Sequence, residues 1–221
     1  MLRCALILFA VILLGTVSVP AAAQTPDYWR VGAVPAYVPI VGLIDIGVKP
    51  RAKEGWDGQL PEDPYLPGRS GVAILLYRQN GPGWAGPTGF YYYDYEPPIP
   101  WGGSRTWWDI YLWSQNYAVS GNEVVIDFGA EWPAPVGYTA RLVIDRVPES
   151  LAWTGPMEFN LRIDNWWGFN PLTLPVAEVT DPLQGTRMHL TVYAVPEPSS
   201  FIALGFAVIG LGGVGLRRRR R

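Results

Sequence analysis

Apolar residues at every second position form the pattern that most constrains what this chain can fold into. It runs through four segments, which are 123–128, 138–146, 157–164 and 187–194. In the last of these, Met188, Leu190 and Val192 fall on one side of an extended chain and the residues between them fall on the other. A helix repeats every 3.6 residues and does not produce this pattern. The alternation therefore predicts antiparallel strands with one buried face.

Further strands are predicted by compact apolar and aromatic runs at 72–77, 90–95 and 107–113. Turn sequences separate the runs, at 80–83, 120–122 and 153–156. About eight or nine strands in roughly 150 residues are typical of a β-sandwich. The fold class predicted is all-β, an antiparallel, jelly-roll-like β-sandwich, with no helix-length periodic segment outside the two ends of the chain.

The predicted sandwich body covers residues 71–194. Residues 24–70 are rich in proline and glycine, and they are predicted to be irregular apart from one strand at 40–48. Within them, 49–70 combines four prolines with a cluster of charges, which predicts a long surface loop.

The N-terminus has the features of a secretory signal peptide over residues 1–23. Arg3 precedes an apolar run at 5–14, and Ala21 and Ala23 form an A-x-A cleavage pattern before Gln24. The apolar run is short for a membrane span, although an uncleaved N-terminal anchor is the alternative. Cleavage by signal peptidase would also remove Cys4, the only cysteine, and with it thiol catalysis and thiolate metal sites.

The C-terminus has three adjoining parts within residues 195–221. Val195, Pro196, Glu197 and Pro198 come first, and the prolines favour an extended backbone. Residues 199–216 are predicted to form a transmembrane helix. The apolar part at 201–216 is roughly 24 Å long as a helix, so flanking side chains must help it span the bilayer. The last part is an arginine cluster, Arg217, Arg218, Arg219, Arg220 and Arg221, which the positive-inside rule places in the cytoplasm.

This tail resembles the PEP-CTERM sorting signal of Gram-negative bacteria. The resemblance rests on Pro196-Glu197-Pro198, the glycine-rich apolar stretch and the arginine cluster, in that order. It implies an exported protein that is held transiently in the inner membrane and processed near the motif by an exosortase. Delivery to the cell surface or to an exopolysaccharide matrix would follow. A permanent single-span tail is the alternative.

Charge is distributed unevenly along the chain. The whole chain has a formal net charge of −2, but residues 24–194 hold 11 lysines and arginines against 18 aspartates and glutamates, a net −7. An acidic exported body does not favour nucleic acid as a partner.

Catalytic, metal and cofactor sites are not predicted. His189 is the only histidine and no Gly-x-Ser-x-Gly elbow is present, so the sequence favours a protein that is not an enzyme. Outward carboxylates on neighbouring strands leave a glycoside hydrolase open, although arginines among them favour cross-strand ion pairs. Loop carboxylates at Asp57, Glu62 and Asp63 leave calcium binding open without a recognisable motif.

The aromatic residues suggest a second hypothesis for the body. Alternation within 107–113 predicts that Trp108, Ile110 and Leu112 face the core. The opposite row, which would stack on sugar rings, is Trp107, Asp109, Tyr111 and Trp113. The alternative is that the loops at 49–70 and 79–89 cover this row. The sequence thus predicts a non-enzymatic surface or matrix protein associated with exopolysaccharide, with a carbohydrate-binding module as the alternative and a glycoside hydrolase behind it.

Overall fold

A computed structural model describes residues 29–49, 51–52, 55, 58, 69–100, 102–131, 138–162 and 169–194. Within these ranges, every regular element is a β-strand except two three-residue 3₁₀ turns. The predicted all-β class is therefore confirmed. The predicted signal peptide at 1–23 and the predicted helix at 199–216 lie outside the described residues. Among the residues described, no helix has the length and apolar character needed to cross a membrane.

The strands follow one another along the described chain as β1 (Trp29–Ala36), β2 (Ile40–Gly42), β3 (Ile44–Val48), β4 (Gly71–Arg78), β5 (Gly89–Tyr91), β6 (Tyr93–Glu96), β7 (Ser104–Gln115), β8 (Glu123–Glu131), β9 (Tyr138–Arg146), β10 (Glu158–Arg162), β11 (Phe169–Pro175) and β12 (Thr186–Ala194).

These strands form two sheets. The five-stranded sheet has the order β11-β8-β1-β3-β6, and the seven-stranded sheet has the order β10-β9-β12-β7-β4-β2, with β5 pairing to β4. Most neighbours are antiparallel, as predicted. Two pairs are parallel instead, β2 with β4 and β3 with β6, so each sheet is mixed rather than purely antiparallel.

Both parallel pairs arise where the chain passes from one sheet to the other. The predicted strand at 40–48 divides at Leu43 into β2 and β3, and the predicted strand at 90–95 divides at Tyr92 into β5 and β6. In each case the first half lies in the seven-stranded sheet and the second half in the five-stranded sheet. The division at Leu43 is not visible in hydropathy because the residues on both sides of it are largely buried; every residue of β3 is buried.

Apolar side chains from both sheets form one hydrophobic core. Ile46 and Ile126 come from the five-stranded sheet, and Ile74, Leu142 and Leu190 come from the seven-stranded sheet; none is measurably exposed. The alternation in β8, β9 and β12 places its apolar residues in this core, which confirms the pattern. Removing this apolar area from water stabilises the fold by about 25 cal/mol per Å².

Two strands were not predicted, β1 and β11, because both contain proline. The structure shows how each proline is tolerated. β11 is an edge strand, and β1 pairs with β3 only up to Ala33, so Pro35 has a ladder partner on one side alone. Since β1 lies between β8 and β3, the predicted boundary at residue 70 does not separate two structural units.

Candidate functional site

A β-bulge in β7 changes which of its side chains face outward. Trp107 pairs with Leu190 and Ile110 pairs with Met188, so Trp108 and Asp109 together oppose the single residue His189. Asp109 has a φ of 60°, a left-handed conformation that aspartate adopts more readily than most residues. One extra residue on a strand shifts the alternation by one position beyond it. Trp107 and Ile110 therefore lie on the same side.

The predicted sugar-stacking row is consequently not exposed. Trp107, Tyr111 and Trp113 have relative exposures of 1%, 7% and 0%. Asp109, the fourth predicted member, forms an ion pair with Arg187 at 2.7 Å. These rings offer no surface to a sugar, and the prediction that they line a binding face is corrected.

Two different causes bury this row. The bulge places Trp107 on the core side, beside Ile110. Tyr111 and Trp113 remain on the opposite side, where the ring of Phe90 lies 6.0 Å from Tyr111 and 5.5 Å from Trp113, between centroids. Phe90 is in β5, directly after the loop at 79–89. Tyr111 and Trp113 are therefore covered, as the alternative expects, but the ring that covers them belongs to a strand and not to either of the two predicted loops.

Trp108 is the aromatic residue of β7 that reaches the surface. It was predicted to face the core, but it is 51% exposed. Its ring packs against the imidazole of His189 with centroids 4.4 Å apart and planes at 36°. The Nδ1 of His189 lies 2.8 Å from the Oδ1 of Asp145, a hydrogen bond that orients the imidazole. The indole thus packs at a tilt against an oriented imidazole, and nothing in hydropathy could have indicated this.

Residues from four strands share the outward side with Trp108, and we call this surface the outer face. Strand register places Thr106 and Thr191 side by side and continues the row to Arg141 and Asn160. A hydrogen bond of 2.9 Å joins the hydroxyls of Thr106 and Thr191. The next outward residue of β12 after Thr191 is Tyr193, which is 38% exposed and lies opposite Thr139 of β9. The outer face is therefore a flat, largely polar surface with aromatic rings at two separate positions.

A shallow groove of about 410 Å³ lies at the Tyr193 end of the outer face. It is lined by Thr139, Ala140, Arg141, Asn160, Leu161 and Tyr193. A guanidinium, an amide and hydroxyls thus converge beside an exposed phenol ring. Such groups donate and accept hydrogen bonds but hold no acid–base pair of their own.

The charges on the outer face are arranged in cross-strand pairs. Arg141 on β9 binds Glu158 on β10, and Arg187 on β12 binds Asp109 on β7. Asp145 on β9 binds His189 on β12. Three outward carboxylates of the glycoside hydrolase alternative, Asp109, Asp145 and Glu158, are therefore engaged with a cationic or imidazole partner, as the ion-pair interpretation expects.

A second set of charges links the two sheets. Glu96 and Asp94 lie on β6 of the five-stranded sheet. Their partners lie on the seven-stranded sheet, since Arg105 of β7 is 3.1 Å from Glu96 and Arg78 of β4 binds Asp94. Arg78 also donates to the backbone oxygen of Trp108 at 2.6 Å. These contacts tie the edge strand β6 to the sheet that carries the outer face, which is a structural role.

Burial perturbs the ionisation of this cluster. The pKa of Glu96 rises to about 7, mainly because burial disfavours the charged form and secondly because of nearby Asp94. Arg105 and Arg78 oppose this rise without cancelling it. The pKa of Asp45 is also raised by burial, despite its 2.7 Å contact with Arg30. Desolvation thus outweighs ion pairing at both carboxyls.

Glu96 should make stability depend on pH in a defined window. A carboxyl whose folded pKa is raised binds more protons in the folded state, so the free energy of unfolding falls as pH rises from 4.5 to about 7. We expect a loss on the order of 1–3 kcal/mol across this window. Glu96→Gln should flatten this part of the profile in urea unfolding. Replacement of the exposed Glu123 by glutamine is the control, and equal pH slopes in native protein and Glu96→Gln would contradict the assignment.

The remaining predictions from the sequence concern metal binding, signal cleavage and the sorting tail. No group of three or more histidine, cysteine, aspartate or glutamate side chains suited to a metal ion occurs within the described ranges. Asp57, Glu62 and Asp63, the calcium alternative, lie outside them. So do the cleavage residues Ala21, Ala23 and Gln24, the motif residues Val195 to Pro198 and the cluster Arg217 to Arg221.

The tail begins where the seven-stranded sheet ends. Ala194, the last residue of β12, is buried, and its N–H donates to the oxygen of Gly103 at 3.0 Å. Its own oxygen accepts from Gly102 at 3.2 Å. β12 lies between β9 and β7, so this strand is held on both sides up to its final residue. Only Val195 separates it from Pro196.

Comparison with known proteins identifies the tail. The family described as the PEP-CTERM protein-sorting motif matches residues 194–221. Neither a curated protein nor a solved structure matches this chain. The match confirms the resemblance recognised at the C-terminus, and it covers the segment after the folded body.

Proposed function

We propose, from the PEP-CTERM protein-sorting motif at residues 194–221, that this chain is a non-enzymatic protein of the cell surface or extracellular matrix of a Gram-negative bacterium, associated with exopolysaccharide. The motif itself implies exosortase-targeted sorting of an exported protein. The observation that carries the proposal is the position of this motif at the end of β12, the last described strand of the body.

The proposed route has three steps. Signal peptidase removes residues 1–23 after Ala23. Residues 199–216 then anchor the chain transiently in the inner membrane, with Arg217–Arg221 in the cytoplasm, because arginines resist transfer across the bilayer. The exosortase cuts near Pro196-Glu197-Pro198 and the body moves on to the surface or matrix.

The end of β12 suits this processing. Within the described residues, the N–H and the oxygen of Ala194 bond to Gly103 and Gly102 of the body. Removal of the tail after this residue leaves every ladder bond of β12 in place. The body, proposed to be a β-sandwich because its two sheets share one core, keeps its fold after it leaves the membrane.

The arrangement of charges supports association rather than catalysis. A general acid and base need carboxyls free to exchange protons with a substrate. On the outer face, Glu158, Asp109 and Asp145 instead bind Arg141, Arg187 and His189. A carbohydrate-binding module is the second candidate, and the observation that favours it is the exposure of Trp108 and Tyr193 on one polar face.

Fractionation of the producing bacterium tests the proposal. An antibody against the body should detect it in the surface or matrix fraction, at a mass that lacks residues 1–23 and the segment after the motif. In a strain without functional exosortase, the protein should stay in the inner membrane at the mass that includes the tail. Extraction of polysaccharide should release the body together with the polymer. Equal release with and without the exosortase would overturn the proposed route.

A further inference from the structure

We infer that the outer face, between Trp108 and Tyr193, is a binding platform for an uncharged polysaccharide chain. The inference rests on the proposed function, which places the body among extracellular polymers, and it names the residues and the chemical class. Two exposed rings, the polar groups between them and the neutralised charges of the face together carry it.

The spacing of the two rings suits a polymer rather than a single sugar. Trp108 packs beside His189, and Tyr193 lies four residues further along β12. At about 3.3 Å per residue, this separation is roughly 13 Å along the strand. A pyranose ring is much shorter than this distance, so the two aromatic positions address different units of one chain.

The rings are of the kind that sugars contact. The face of an aromatic ring is electronegative, and it attracts the polarised C–H groups that line one side of a pyranose. Trp108 is already held against His189, which Asp145 in turn orients at 2.8 Å. A ring fixed in advance loses little conformational entropy when a ligand covers it. All six residues of β7 from Ile110 to Gln115 are buried, whereas Trp108 in the same strand is half exposed. A binding role for its ring explains this exposure.

Hydrogen-bonding groups lie between the two rings. Thr106, joined to the largely buried Thr191, occupies the middle row, and the exposed Arg141 and Asn160 extend it sideways. Hydroxyls and amides both donate and accept, as the hydroxyl groups of sugars do. The flat sheet lets these groups meet a chain lying across it, and the groove beside Tyr193 accommodates its side groups.

Charge selects an uncharged polymer over a polyanion. The outer face pairs Arg141 with Glu158, Arg187 with Asp109 and His189 with Asp145, so each of these three cationic or imidazole groups has a carboxylate partner. The body as a whole has a net charge of −7 over residues 24–194. An acidic polysaccharide would be repelled by this field, and a neutral one would not.

The test uses the full chain, purified in a non-ionic detergent without a sugar headgroup, because such a headgroup would compete for the platform. The probes are three soluble neutral polysaccharides, namely hydroxyethyl cellulose, dextran and galactomannan, with alginate as the polyanion. Retardation in native gels that contain each polymer measures the affinity. We expect at least one neutral polymer to retard the chain, and alginate to do so more weakly or not at all.

Variants locate the binding. Trp108→Ala and Tyr193→Ala should each weaken binding on the order of 10-fold. This is the size of effect seen when one aromatic side chain that stacks on a nucleic-acid base is replaced by alanine. Tyr37→Ala is the matched control, because Tyr37 is 95% exposed and lies off the outer face. Trp108→Phe should restore part of the affinity. If Trp108→Ala fails to fold by circular dichroism, the Tyr193→Ala and Trp108→Phe results decide the question.

Three outcomes would overturn the platform. The first is that no neutral polymer retards the chain, the second is that folded Trp108 and Tyr193 variants bind like the native chain, and the third is preference for alginate. Sedimentation at twice the monomer mass, reversed by Trp108→Ala, would assign the face to a second copy instead and also refute the inference.

The fractionation experiment distinguishes this inference from the proposed function. If Trp108→Ala is exported normally but does not bind polymer, the proposed sorting route is unaffected. Binding by a chain that is never sorted contradicts only the proposed function.

Discussion

Replacement of Pro196, Glu197 and Pro198 by alanine is expected to leave the chain unprocessed in the inner membrane. The family match at 194–221 places these residues at the start of the sorting motif. Alanines would allow helix to extend upstream from the apolar segment, because the prolines that fix φ and oppose helix would be gone. We propose that the exosortase engages the motif as an extended chain, which the substitution would disfavour. Immunoblots of inner-membrane and released fractions measure the result, and near-complete loss of the released form is expected.

A neighbouring double substitution is the control for this experiment. Ser199→Ala with Ser200→Ala changes two adjacent residues and leaves the three motif residues and the arginine cluster in place. Release should continue in this variant. Normal release of the triple-alanine chain would show that the motif does not direct processing, and loss of release in both would show that the effect is not particular to the motif.

Trp113→Ala is expected to destabilise the body by about 3–5 kcal/mol, the range for large aromatic residues removed from a core. Trp113 has no exposed surface and packs against Phe90 at 5.5 Å between ring centroids. Domains of this kind are stable by only about 5–15 kcal/mol, so the loss is a large part of the total. Urea unfolding followed by near-ultraviolet circular dichroism measures the shift in midpoint.

Trp108→Ala supplies the comparison within the same strand. Its indole is half exposed, so the same substitution should cost no more than about 1 kcal/mol, close to the effect of ordinary surface changes. The two variants therefore distinguish the observed arrangement from the one that unbroken alternation predicts. A larger loss for Trp108→Ala than for Trp113→Ala would mean that β7 has no bulge at Asp109.

Much of the fold could be predicted because it depends on local patterns. Val124, Ile126 and Phe128 occupy every second position of β8 and are all buried, since one face of β8 meets the core. The change of sheet at Leu43 was not predictable in the same way. Both β2 and β3 are apolar, so their boundary depends on which strand pairs with each half, and that is a contact between distant residues.

The candidate site shows the limit most clearly. A single residue in a left-handed conformation, Asp109, reverses the faces of the aromatic positions before it. Aspartate occurs both in turns and on the polar faces of strands, so the presence of aspartate at position 109 does not reveal the bulge. The pairing of His189 with two residues of β7 becomes visible only when the neighbouring strand is in place.

The amino-acid sequence by itself indicated that this protein is exported and sorted, and it determined the class of its fold. Sorting is read from a short contiguous motif, and an extended strand is dictated by a period of two residues, so neither requires knowledge of distant contacts. Only the tertiary structure decided which tryptophan is exposed, which carboxylates are paired and where the strands cross between sheets. These features depend on register and packing between segments far apart in the chain, and a one-residue change in register exchanges the two faces of a strand.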